Sequence, residues 1–174
     1  KEREFSETDR VGSGFSAELC RDWEASASDI GSESTRCVLL RTGVVLDDAL
    51  GAYPQMTQSF RFGLASWMGQ GEHWLSWIHL ADMVGAIMHC IQNEAVSGPV
   101  NMTAPNPVTH RSFADEVRSV TTTVMGMGMP GWVMRLMMGE MADELLLTGQ
   151  RVMPNKLLST GYDFLFGDLK GAVA

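Results

Sequence analysis

Ser76, His79 and Asp82 place a hydroxyl, an imidazole and a carboxylate close together in the chain. These are the groups of a nucleophilic hydrolase. The spacing argues against that use. In an extended segment, residues 76 and 79 point to opposite faces, and no strained turn presents the Ser. Two roles for His79 and Asp82 stay open. They stand where a strand-like run, residues 74–79, meets a helix-like one. They either hold that junction together or line a ligand crevice, which in open α/β sheets lies at the carboxyl ends of strands. Asp82 falls in the helix's first turn, where a carboxylate is favoured.

Arg41 poses the same choice. It ends a short apolar run, residues 36–41, just before Thr42-Gly43. A cation there faces either the crevice or a salt bridge at the sheet rim. Gly12-Ser13-Gly14-Phe15-Ser16-Ala17 fits the G-x-G-x-x-[GA] dinucleotide fingerprint, but that fingerprint needs a buried strand before it. Residues 7–11 are polar and charged, so a lead-in that starts a helix is the better reading. His73, His79, His89 and His110 show no i, i+4 pair and no C-x-x-C partner, which argues against a metal site. His89 lies off the apolar stripe of its helix and is expected to be solvated. Thirteen methionines are many for 174 residues. Met125, Met127, Met129, Met134, Met137, Met138 and Met141 crowd one region. A pliable core or interface is favoured over a soft-metal or lipid site, because Met fills irregular gaps.

The elements that must position these groups follow from periodicity. Residues 1–12 read as a mobile lead-in. Residues 15–27 read as a helix with Leu19, Trp23 and Ala27 on one face. Residues 36–41 suit a strand buried on both faces, as in a parallel sheet. Residues 50–62 are weakly helical, and 63–73 are loop-like. A helix from residue 80 has its apolar stripe at Leu80, Met83, Val84, Ile87, Met88 and Ile91. A strand over 100–103 and a loop set by Pro105 and Pro107 come next. Thr109 then caps a helix over 110–120 with Phe113, Val117 and Val120 inward. A further helix is expected over 130–147, weakened at Gly139 by about 1 kcal/mol. A short helix near 154–159, a strand-like 162–166 and a frayed last turn end the chain. Strands alternate with helices, so the class is α/β.

Net charge is −8, from 13 Lys+Arg against 21 Asp+Glu. Such a surface repels polyphosphate, so nucleic acid is excluded as a partner. No apolar run is long enough to span a bilayer, and no signal-peptide pattern opens the sequence. Lys1 in place of Met predicts that the natural start lies upstream. Cys20, Cys37 and Cys90 are odd in number and widely spaced, as expected of reduced thiols in a cytoplasmic protein.

Several segments together resemble the C-terminal part of an extended short-chain dehydrogenase/reductase, in the SulA-type epimerase-like subgroup of the NAD-dependent epimerase/dehydratase family. They include residues 15–24 (FSAELCRDWE), 38–46 (VLLRTGVVL), 60–64 (FRFGL), 77–82 (WIHLAD) and 98–109 (GPVNMTAPNPVT). Residues 139–154 resemble the small C-terminal domain of that subgroup. The family's first βαβ unit, with its glycine-rich cofactor loop, has no counterpart here. Where the superfamily carries Tyr-x-x-x-Lys, this chain has Ser16 and Cys20, and the subgroup resembles this atypical pattern.

The resemblance implies the C-terminal part of a Rossmann-like parallel sheet, a substrate-side subdomain and a small helical appendix. The division expected is 1–120 and 121–174. The implied parent is an NADP- or NAD-dependent oxidoreductase or epimerase acting on a small polar substrate, a nucleotide sugar being one candidate. In that reading Arg41, Trp77, His79, Asp82 and Asn101 line or brace the pocket, and hydride chemistry belongs to the cofactor. This chain alone is expected to be inactive and prone to self-association through its exposed sheet edge. The competing expectation is a non-catalytic nucleotide-sensing or interaction module with a degenerate site.

Overall fold

A computed structural model describes residues 3–28, 35–123, 125–130 and 149–174. The helix expected over 130–147, with Gly139, Met134, Met137, Met138 and Met141, lies outside the described residues, as does most of the 28–35 connection.

The chain is mixed α/β with mainly parallel pairing. Strand β2 (Val38–Thr42) pairs in parallel with β7 (Gly98–Met102), and β3 (Val44–Leu46) with β6 (Trp77–His79). β4 (Leu64–Met68) pairs in parallel with β9 (Met125–Met129), and β1 (Glu4–Phe5) with β10 (Arg151–Val152). Among the described residues the one antiparallel pair joins β5 (Trp74–Leu75) to β8 (Val108–Thr109). Among the described residues the helices are α1 (Phe15–Ser28), α2 (Ala52–Met56), α3 (Leu80–Gln92), α4 (His110–Val120), α5 (Asn155–Ser159) and α6 (Leu169–Ala172), with a 3-10 turn over Gln58–Phe62.

The run expected over 74–79 breaks at Ser76. Its hydroxyl donates to Gln150 O and accepts from Val152 N, while its carbonyl accepts from Val44 N. The chain there leaves β8 and joins β3. Gly43 sits against this kink, where a Cβ would come 2.6 Å from Ser76 O.

Helix α4 starts where Thr109 predicts, its Oγ1 accepting from Ser112 N. Phe113 and Val117 are buried as expected; Val120 is 45% exposed. They join a cluster with Leu46, Phe60, Leu75 and Trp77. A second cluster gathers Ala86, Cys90, Val96, Val100, Met102 and Leu157 beneath α3.

Several expectations need correction. Residues 64–68 form a strand, not a loop. Its partner β9 has the sequence Met-Gly-Met-Gly-Met. Trp67 lies across that strand, and a Cβ at Gly126 or Gly128 would come within 3.0 or 2.8 Å of the indole. Met125 and Met127 point outward, 66% and 56% exposed, so they are not core. Helix α3 turns a different face inward: Asp82, Ala86 and Cys90 are buried, with Met83 and Ile87 packed beside them. Ala86 and Cys90 share the second cluster with Val100 and Met102 of β7, and Leu80, Val84, Met88 and Ile91 are left exposed. Leu19 and Trp23 of α1 also face outward, and Leu40 prevents β2 from being buried on both faces. Residues 162–166 form no strand. His89 is half-buried, its ring bonded to Thr160 and packed edge-on against Tyr162.

Candidate functional site

Arg41 and Asn101 are register partners on β2 and β7. Arg41 grips Glu24 of α1 with two bonds, Nε to Oε1 and Nη2 to Oε2, both 2.7 Å. That pairing lowers the Glu24 carboxyl and raises the already high Arg41 guanidinium. Arg41 also donates to Glu7 O. Asn101 donates from its backbone N to Glu7 Oε1 and from Nδ2 to Met153 O. Glu7 therefore joins both residues, and its Oε1 accepts from Lys156 N as well. It is 7% exposed, inside a segment expected to be mobile. No local pattern marks it, because every partner is distant in sequence.

Trp77, His79 and Asp82 follow one another through β6 into α3 but take different partners. Trp77 is fully buried and donates its indole N–H to Asn106 O. His79 caps α3, its Nδ1 accepting from Ala81 N, which puts the neutral ring's proton on Nε2. Its ring lies 3.9 Å from that of Phe166. Asp82 is fully buried and accepts from Leu165 N, Phe166 N and the Tyr162 hydroxyl. Burial and the Asp82 charge push the Tyr162 phenol well up. His79 and Asp82 thus both hold residues 162–166 against the strand–helix junction. Ser76, bonded to Gln150 and Val152, forms no triad with them.

Two concavities lie elsewhere, and none of these five residues lines either. One is a pocket of about 120 Å³ between α2, β4 and the start of α4. The other is an open groove of about 540 Å³ between α2, the 3-10 turn and the end of α4, with Asp48, Arg61 and Thr122 among its walls. His110 lines the first pocket, and burial with His73 nearby depresses its ring to about 4, neutral at pH 7. No spacing motif in the sequence marks His110 as a site residue. Its signal was position: His110, Phe113, Ala114 and Val117 share one stripe of α4.

A dinucleotide needs a glycine turn leaving a buried strand. Gly12-Ser13-Gly14 does lead into α1, but the strand before it is the two-residue β1, which pairs with β10 and not with the β2–β7 sheet. Among the described residues there is no dinucleotide cradle, and no group of three His, Cys, Asp or Glu able to hold a metal.

Comparison with known proteins then places this geometry. Residues 129–174 match Domain of unknown function (DUF1731). Epimerase family protein ML0860 of Mycobacterium leprae is 38% identical over 164 residues, 94% of this chain and 53% of the relative. The chain's relatives are epimerase family proteins. The crystal structure of human epimerase family protein SDR39U1 (isoform 2) with NADPH superposes with a TM-score of 0.92 at 32% identity, over 99% of this chain and 58% of that one. A nucleoside-diphosphate sugar epimerase from Corynebacterium glutamicum gives 0.76 at 30%, over 99% of this chain and 33% of that one. The fold is that of Rossmann-like epimerases, and the chain spans about half the length of the curated relatives it matches. Among the described residues, no helix is long and apolar enough to cross a membrane.

Proposed function

We propose that this chain is the substrate-side half of an NAD(P)-dependent epimerase or oxidoreductase. Its substrate is a small polar molecule, with a nucleotide sugar the first candidate. The observation that carries this reading is an open sheet edge together with exposed apolar residues on α1, β2 and α3. Among the described residues β2 bonds only to β7. Phe15, Leu19 and Trp23 of α1, Leu40 of β2, and Val84, Met88 and Ile91 of α3 are exposed. A parallel strand with helices on both faces would complete it. That is the kind of unit a dinucleotide-binding half supplies, and hydride chemistry comes with the bound cofactor. Arg41, Trp77, His79, Asp82 and Asn101 brace the substrate side; each already has protein partners, so they position it rather than react. Free Cys20, Cys37 and Cys90 suit a cytoplasmic setting.

The test supplies the missing half in trans, using the nucleotide-binding part of the mycobacterial relative. The expected result is a one-to-one assembly that binds NADPH, whereas this chain alone binds none. Two failures count against the reading: no assembly, or NADPH binding by the chain alone. A second reading is a nucleotide sensor with a degenerate site. Ser16 and Cys20 favour it, since neither can serve as the superfamily's Tyr and Lys. Tight NADPH binding without turnover across a panel of carbonyl substrates and nucleotide sugars distinguishes the sensor.

A further inference from the structure

Strand β9 is a sheet edge without the usual protection. Among the described residues it bonds only to β4. Between Arg118 and Arg135 the sequence has no charged residue, in a chain of net charge −8. Edge strands are ordinarily blunted by charges, bulges or a covering element. Here Met125 and Met127 stand 66% and 56% exposed.

Parity decides what the edge offers. Met125 N donates to Gly63 O, so the amides and carbonyls of Met125, Met127 and Met129 turn towards β4. Those of Gly126 and Gly128 turn away from it. Trp67 covers these glycines on one face, and the methionine side chains stand on the other. Pro130 comes next in the outward parity and has no N–H to give, so the edge ends there.

The strand also matches itself. Met-Gly-Met-Gly-Met reads the same in both directions. An antiparallel copy turned about Met127 sets Gly126 opposite Gly128 of the second copy. Each such glycine pair exchanges both its N–H···O bonds. Met127 then faces Met127 as the closer, non-bonded kind of pair, and Met125 faces Met129 on the same side.

We propose that β9 is a self-association surface, its free edge pairing antiparallel with β9 of a second copy about a two-fold axis at Met127. Charge selects a second copy as the occupant: chains that repel one another elsewhere meet here with no like charges opposed. The proposal is independent of the nucleotide-half reading, which concerns the edge of β2. A five-residue edge buries less than the roughly 1,200–2,000 Å² of a stable complex. The dimer is therefore weak, with Kd on the order of 100 µM. Isologous pairing uses the edge up, so assembly through β9 stops at two.

The experiment combines sedimentation equilibrium of the 174-residue chain with amide hydrogen exchange across a concentration series. The expected result is a monomer–dimer equilibrium in which the Gly126 and Gly128 amides gain protection as concentration rises. The Met127 amide, already turned to β4, should change little. Met127→Lys and Met127→Glu, both at an exposed position, are each expected to weaken the dimer at least about tenfold, because like charges then sit opposite. An equimolar mixture of the two variants should recover it, since Lys then faces Glu. A dimer that forms equally well in either variant overturns the proposal, as does a mixture that recovers nothing. So does a chain that stays monomeric up to about 1 mM. Protection of Gly126 and Gly128 that is independent of concentration overturns it too, since the chain would then cover its own edge.

Discussion

Helix α3 is mostly apolar and α4 mostly polar, and the two end up in opposite situations. α4 buries Phe113, Ala114 and Val117 against β4 and the cluster around Leu75 and Trp77. α3 buries Asp82, Ala86 and Cys90 and leaves Leu80, Val84, Met88 and Ile91 outside. Periodicity reveals that a helix has an apolar stripe, not which part of a protein covers it. Around α4 the chain covers its own stripe. Around α3, and again along α1 and the free edge of β2, the apolar surface exceeds what the described residues can cover.

Substitution should separate the two regions most sharply. Phe113→Ala is expected to cost about 3–5 kcal/mol, whereas Ile91→Ala should cost about 0.5 kcal/mol or less in this chain. Urea denaturation of both variants checks the contrast; a comparable loss at Ile91 would mean that α3 is covered after all. Asp82→Ala tests the buried polar side of α3. Removing an acceptor for two amides and a phenol is expected to cost about 4 kcal/mol and to speed hydrogen exchange at Leu165 and Phe166.

His110 adds a pH signature to the closed region. Its folded value, about 4, lies below the roughly 6.5 of an unfolded His. The stability that goes with the neutral ring is therefore complete above about pH 6.5 and is lost as pH falls from there towards 4, about 3 kcal/mol in all. Urea midpoints across that window should slope in the wild type and flatten in His110→Leu. The smallest effect belongs to the open region. Glu24→Gln removes a half-exposed pair with Arg41 and should cost about 0.5–1 kcal/mol. Glu24 titrates below its usual range, so its contribution persists above the unfolded carboxylate value and fades as pH drops through the lowered one.

Much of the scaffold was legible in the sequence because its signals are local. The cap at Thr109, the start of α3, the parallel-type strand at β2 and the short strand at β7 all come from neighbouring residues. β4 and β9 were not legible. Gly and Met hide the alternation, and the two strands identify each other only once paired across the fold. The candidate site divides the same way. His79 and Asp82 were visible as a strand–helix junction, but Asp82's partners, Tyr162, Leu165 and Phe166, lie at the far end of the chain. Glu7 is invisible for that reason, and His110 has no ligand spacing, only a place on the buried stripe of α4.

The pairing of β1 with β10 bears on how this fold closes. Glu4 is matched to Arg151 and Phe5 to Val152, so this pairing closes across most of the described chain. Ring closure over such a span is entropically slow. Glu7 gains its Lys156 bond only when the two ends of that span have met.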